Sequence, residues 1–173
     1  MKPQAVEFRR DLVALLPRLR RFARALAGGS DAAEDLLQSA VERALTRSHS
    51  YDTRRRLDSW MFKLMQNLWF DMKRGAGIGP LHAEDADTPG EDGRRTVESR
   101  DDLRRAREAF DALPEEQRAV MALVVLDGIS YAEAAGVLEV PIGTIMSRLA
   151  RARANVAAYV RGPLAVAPVR GKK

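Results

Sequence analysis

The stretch that most constrains this chain spans residues 130–155, S-Y-A-E-A-A-G-V-L-E-V-P-I-G-T-I-M-S-R-L-A-R-A-R-A-N. It reads as helix, tight turn, helix. Ser130 is a good N-cap, and Glu133 completes a capping box in which each side chain takes a backbone N–H of the other residue. Ala134, Ala135 and Leu138 give the first helix a small apolar face. Gly136 and the Glu139-Val140-Pro141 step loosen and end it, because the residue before a proline is pushed out of the α region. Pro141 can open the next helix, where its missing N–H costs nothing. At about 100° per residue, Ile145, Leu149, Ala152, Val156 and Val160 form one stripe of that second helix. Thr144, Ser147, Arg148, Arg151 and Asn155 form the opposite one, with the hydroxyls, guanidinium groups and amide that bond phosphates and base edges in a major groove. Against a merely solvated face stand the capping box, the short turn and the absence of any acid on that stripe.

The rest of the chain also reads as helices. Residues 5–27 repeat Leu12, Leu15, Leu16, Leu19, Phe22, Ala23 and Leu26 at three- and four-residue steps. Pro17 inside that pattern is expected to kink the helix or start a new one. Arg18, Arg20, Arg21 and Arg24 suit either a solvated face or a nucleic-acid contact. Ser30 and Asp31 are expected to cap a second helix, Glu34 fitting a capping box with Asp31. Its buried stripe is Leu36, Leu37, Ala40, Val41, Ala44 and Leu45, and its other side gathers Asp31, Asp35, Gln38 and Glu42. That acidic face would avoid DNA; solvent or a protein partner could cover it. The loop at 46–56 carries Arg54, Arg55 and Arg56, placed to neutralise phosphates or simply solvated.

Residues 57–74 form a third helix. Trp60, Met61, Leu64, Met65, Leu68 and Met72 share its apolar face, with Phe62 and Trp69 at the edge. Opposite lie Lys63, Gln66, Asn67, Phe70 and Arg74. Phe70 among cations and amides leaves two readings open. It can stack an unpaired base, worth ~1–3 kcal/mol, or it can pack on another element.

Residues 75–100 turn to glycine, proline and acids, the composition of a flexible linker. As a coil it reaches roughly 25–30 Å, close to one DNA turn of about 34 Å. Helical pattern returns from residue 101 through Leu103, Ala106, Phe110 and Leu113. Pro114 starts a helix through Val120, Leu123, Val124 and Leu126 that stops at Asp127-Gly128. The tail at 163–173 reads as disordered. The fold class is therefore all-α: two small helical domains, residues 1–74 and 101–162, joined by the linker at 75–100.

Bulk properties exclude much. With 173 residues and no cysteine there is no disulfide framework and no thiolate metal site. No apolar run nears the ~20 residues of a bilayer span, and Arg9, Arg10 and Asp11 interrupt any signal-peptide core. A cytoplasmic protein is expected. The net charge of +5 suits a polyanionic partner. HExxH, GxxxxGK[ST] and nucleophile-elbow motifs are all missing, and His49 and His82 sit far apart in loops. The expectation is no enzyme, no metal and no cofactor.

Four pieces together resemble a bacterial RNA polymerase sigma factor of the extracytoplasmic-function type. They are A-E-D-L-L-Q at 33–38, S-W-M-F-K-L-M-Q-N-L-W-F-D-M-K-R at 59–74, L-P-E-E-Q-R at 113–118, and the helix-turn-helix at 128–153. The resemblance covers residues 8–158 and implies a sigma region 2 helical bundle followed by a region 4 helix-turn-helix. It implies that Asp31, Asp35, Gln38 and Glu42 dock on core RNA polymerase, although Ser39 stands where the family usually has glutamate. Lys63, Asn67, Phe70 and Arg74 would recognise and melt the minus-ten promoter element and hold its unpaired non-template strand. Thr144, Ser147, Arg148, Arg151 and Asn155 would face the minus-thirty-five duplex. An anti-sigma factor is a further implied partner. The competing reading is a self-standing helix-turn-helix regulator binding an operator as a dimer, which would have no use for the A-E-D-L-L-Q helix.

Overall fold

The computed structural model describes residues 3–75 and 100–161, and no strand occurs among them. The first half comprises α1 (Pro3–Ala27), α2 (Ser30–Thr46), a short 3-10 turn (Ser48–Ser50) and α3 (Leu57–Gly75). The second comprises α4 (Arg100–Asp111), α5 (Glu115–Met121), a π-turn (Ala122–Leu126), α6 (Tyr131–Leu138) and α7 (Ile142–Arg161). The linker expected at 75–100 and the tail at 163–173 lie outside the described residues, apart from the two positions that close α3 and open α4.

Helices α1, α2 and α3 pack around Leu12, Leu19, Phe22, Leu36, Met61, Phe62 and Met65, all buried. Pro17 does not restart α1, which runs on as one helix. Leu12 and Leu19 are buried on either side of the proline, while the ring itself faces solvent, so packing on both flanks holds the helix together. The cap expected at Ser30 and Asp31 does not form. Gly29 is the N-cap of α2, without a side-chain hydrogen bond, and Glu34 instead meets Arg20 at 2.9 Å. Leu45, placed by periodicity on the buried stripe of α2, is exposed at the helix's last turn, and Leu103 is exposed in the first turn of α4.

The two halves do not stand apart. Helix α5 lies on α1 and α6 on α3, and one continuous core runs from Leu19, Phe22 and Phe62 into Val120 and Leu123. Polar contacts ring that seam. Asp127, at the end of the π-turn, has a wholly buried side chain that accepts from Arg18 Nε at 3.1 Å and from Arg21 Nη2 at 2.6 Å. Arg18 also donates to Asp58 Oδ2 at 2.9 Å, and Arg56 donates to the same oxygen at 2.7 Å. A buried ion pair adds little net stability over an apolar isostere, but leaving one member unpaired is costly, so arrangements that strand Asp127 or Asp58 are disfavoured.

The L-P-E-E-Q-R motif is part of the same seam. Glu115 accepts from Trp69 Nε1 at 2.9 Å and from Lys73 Nζ at 3.0 Å, tying α5 to α3. Arg118 donates to the carbonyl of Ala25 at 2.6 Å, satisfying an end carbonyl of α1, and to that of Leu113 at 2.7 Å. Burial pulls the pKa of this guanidinium down. Gly28 beside it has φ +72°, a conformation that favours glycine, and a Cβ there would stand a tight 3.2 Å from Arg118 Nη2.

Candidate nucleic-acid interface

The capping box read from the sequence is present. Glu133 N donates to Ser130 Oγ at 3.2 Å, and Ser130 N donates to Glu133 Oε2 at 3.2 Å. The Ser130 hydroxyl and backbone N–H hold the Glu133 carboxyl below its usual range. Helix α6 closes at Glu139, which takes the left-handed conformation at φ 56°. The chain then turns sharply, and Thr144 N donates to the Pro141 carbonyl at 2.9 Å as α7 begins. Ile145, Leu149 and Ala152 anchor α7, all buried.

The opposite stripe of α7 divides in two. Ser147 is exposed and Thr144 half-buried, with Ser147 Oγ donating to the Thr144 carbonyl at 3.1 Å. Arg151 curls back over the same turn, its Nε 3.4 Å from the Ser147 carbonyl. Arg148 and Asn155 instead hold α5. Arg148 Nη2 lies 2.7 Å from Glu116 with its side chain only 16% exposed, and Asn155 Nδ2 donates to Gln117 Oε1 at 2.9 Å. The stripe drawn by angle therefore curves from solvent into the α5 contact. Meanwhile Ile142, Met146, Ala150 and Arg153, outside that stripe, are exposed.

On α3 the four candidates come together. Lys63, Asn67, Phe70 and Arg74 form one exposed stripe along the helix, and Phe70 is 36% exposed. Lys63 pairs with Glu139, the residue that caps the end of α6, at 3.0 Å, and Arg74 pairs with Asp71 one turn back. Gln66, grouped by periodicity with this stripe, is buried instead, at 5% exposure. So is Phe62, whose ring meets Phe22 edge-on and lies under the Arg18 guanidinium. Helix α1 covers the Phe62 edge, and α3 packs against α6 as well as against its own half, so its buried face is broader than one stripe.

A third face lies on α2, where Asp31, Asp35, Gln38 and Glu42 are all exposed. Gln38 Nε2 donates to Glu42 Oε1 at 3.0 Å, keeping the acid aligned along the helix.

Four of the basic residues of α1 and of the 46–56 loop form ion pairs within the protein, while Arg24, Arg54 and Arg55 are exposed. Arg18 and Arg21 hold Asp127, Arg20 holds Glu34, and Arg56 holds Asp58. Burial alone would raise the Asp58 carboxyl. Hydrogen bonds from Arg56, Arg18 and the Ser59 N–H outweigh it and lower the pKa to about 2. Sequence reasoning missed this network because its members are scattered over four elements. The one local signal was the i, i+2 spacing of Arg56 and Asp58. No group of side chains suited to a metal ion occurs among the described residues, and no helix there is long and apolar enough to cross a membrane.

Residues 103–156 match the family Sigma-70, region 4, and residues 12–66 match the Sigma2 domain of PhyR. Over 168 residues the chain is 34% identical to the ECF RNA polymerase sigma factor EcfG of Rhodopseudomonas palustris, covering 92% of this chain and 90% of that protein. It is 34% identical over 139 residues to the ECF RNA polymerase sigma factor SigM of Mycobacterium tuberculosis, covering 80% and 69%. Among solved structures it is similar to the sigma factor RpoE in complex with the anti-sigma factor NepR from Bartonella quintana. The TM-score is 0.70 at 29% identity, covering 91% of this chain and 98% of that one. CnrH, solved with the cytosolic domain of CnrY, shares the fold with a TM-score of 0.61 at 22% identity, covering 89% and 87%.

Proposed function

This chain belongs to the extracytoplasmic-function (ECF) RNA polymerase sigma factors, and we propose that three of its faces divide the work of promoter opening. A sigma factor is not an enzyme; it binds core RNA polymerase and directs transcription initiation to particular promoters. On this reading the acidic face of α2, with Asp31, Asp35, Gln38 and Glu42, docks on the polymerase. Lys63, Asn67, Phe70 and Arg74 hold the unpaired non-template strand of the minus-ten element. Helix α7 lies in the minus-thirty-five major groove. Ser147 and Arg151 reach the duplex as they stand, and Thr144 lines the turn. Arg148 and Asn155 join them on releasing Glu116 and Gln117.

The observation that carries the reading is the α3 stripe: an aromatic ring held at the surface between a lysine, an amide and an arginine. Stacking on such a ring is worth ~1–3 kcal/mol per base and offsets the few kcal/mol that unpairing costs. The linker at 75–100 then tethers the two DNA-binding halves. RpoE of Bartonella quintana was solved with an anti-sigma factor. This chain, similar over nearly its whole length, is held by an anti-sigma factor as well. Its place of action is the cytoplasm, with the polymerase and the chromosome.

Run-off transcription with purified core polymerase tests this. A transcript from a promoter carrying both elements is expected only when core and this chain are both present. No promoter-specific transcript, together with a footprint of the chain alone on an inverted repeat, would replace the sigma reading with that of a dimeric operator-binding regulator.

A further inference from the structure

Ile142 and Met146 lie on the first two turns of α7, and both are about half exposed, at 49% and 54%. Four residues apart, they sit one above the other on a single helix face. Gly143, Ser147 and Ala150 beside them are small and exposed, leaving the two large side chains proud of the surface. Helix α7 contains no acid, and all its charged residues are arginines. The leading end is thus an apolar centre with cations toward its flanks.

The residues at the start of a recognition helix are the ones that reach base edges. Of the groups a base pair shows in the major groove, the C5-methyl of thymine is the apolar one. We propose that Ile142 and Met146 read thymine methyl groups in the minus-thirty-five element and set its sequence preference at the leading end of α7. Arg151 and Arg153, farther along the helix, are then left for backbone phosphates. Arg148, which reaches the duplex only on leaving Glu116, lies farther along the helix than Ile142 and Met146. The inference rests on the assignment of α7 to the minus-thirty-five duplex made above.

The test uses holoenzyme reconstituted with the full chain and a promoter selected from genomic DNA. Each minus-thirty-five thymine is replaced in turn by deoxyuridine, which removes the methyl group and nothing else. Wild-type holoenzyme is expected to lose about threefold to fivefold in competition binding at one or two positions, as ~0.8 kcal/mol per buried methylene-sized group implies. The double variant Ile142→Ala, Met146→Ala is expected to bind thymine and deoxyuridine templates equally. If no deoxyuridine affects wild type although scrambling the element abolishes binding, methyl reading is overturned while the placement of α7 stands. If the double variant keeps the wild-type deoxyuridine penalty, the reader is another residue. If scrambling the element has no effect, the placement of α7 itself fails. The wild-type arm needs no variant, so a folding defect in the double variant leaves the test intact.

Discussion

Replacing Asp127 by asparagine should separate the two halves of the chain. The carboxylate has no exposure and receives two guanidinium groups, from Arg18 at 3.1 Å and Arg21 at 2.6 Å. Removing one member of a buried ion pair costs ~3–5 kcal/mol when the other is left stranded. Here the stranding is incomplete. The Arg18 side chain is 26% exposed and keeps Asp58 at 2.9 Å, and the Arg21 side chain is 45% exposed and can rehydrate. The cost is therefore about 2–3 kcal/mol, discounted for solvent screening. For a chain of this size that lowers the melting temperature by about 5–10 °C. The absence of cysteine allows a clean distance measurement. Labels on cysteines introduced at Leu45 and Leu103, both exposed, report α2 against α4. The variant is expected to melt earlier and to show a longer, broader distance distribution already at 25 °C. An unchanged melting temperature with an unchanged distance distribution would refute the view that Asp127 fixes the docking of the halves.

Phe70→Ala is expected to slow promoter opening, read by 2-aminopurine fluorescence in the minus-ten element, while the melting temperature stays within about 1 °C; normal opening with a lowered melting temperature would make the ring a packing residue. Lowering the pH should destabilise the fold through Asp58. Its pKa drops from 3.8 unfolded to about 2 folded, so its contribution is complete above pH 3.8 and lost as the pH falls through 2. At ~1.4 kcal/mol per decade that contribution is at most about 2.5 kcal/mol, and Asp58→Asn should flatten the corresponding part of the stability–pH curve in urea titrations. Ser130→Ala removes the cap of α6 and should cost about 1 kcal/mol in the same titrations, whereas an unchanged midpoint would mean that α6 is held by packing alone.

The elements were legible where one neighbour decides which face is buried. Residues 130–155 gave cap, turn and second helix directly, because Ser130, Glu133 and Pro141 act within a few residues of themselves. Helix α3 was legible only in part. Lys63, Asn67, Phe70 and Arg74 fall together on the outer side, but Gln66, grouped with them by angle, is buried, and Phe62 at the edge is covered by Phe22 and Arg18 of α1. Periodicity reports that a face is polar; it does not report which neighbouring helix will cover its edge. The α1 arginines failed for a related reason. Arg18 and Asp127 lie 109 residues apart in the chain, and no local spacing announces such a pair. The Asp31 capping box matched in spacing and lost to a longer-range competitor, since Glu34 is taken by Arg20.

The central claim, that the α3 stripe holds melted promoter DNA, is open to direct measurement by replacing Phe70 with photoreactive benzoylphenylalanine. In holoenzyme on its promoter, irradiation is expected to cross-link residue 70 to the non-template strand within the minus-ten element. The yield should rise with the formation of the open complex and be absent when core polymerase is omitted. Cross-links from residue 70 to protein alone, or to duplex DNA outside the minus-ten element, would contradict the account.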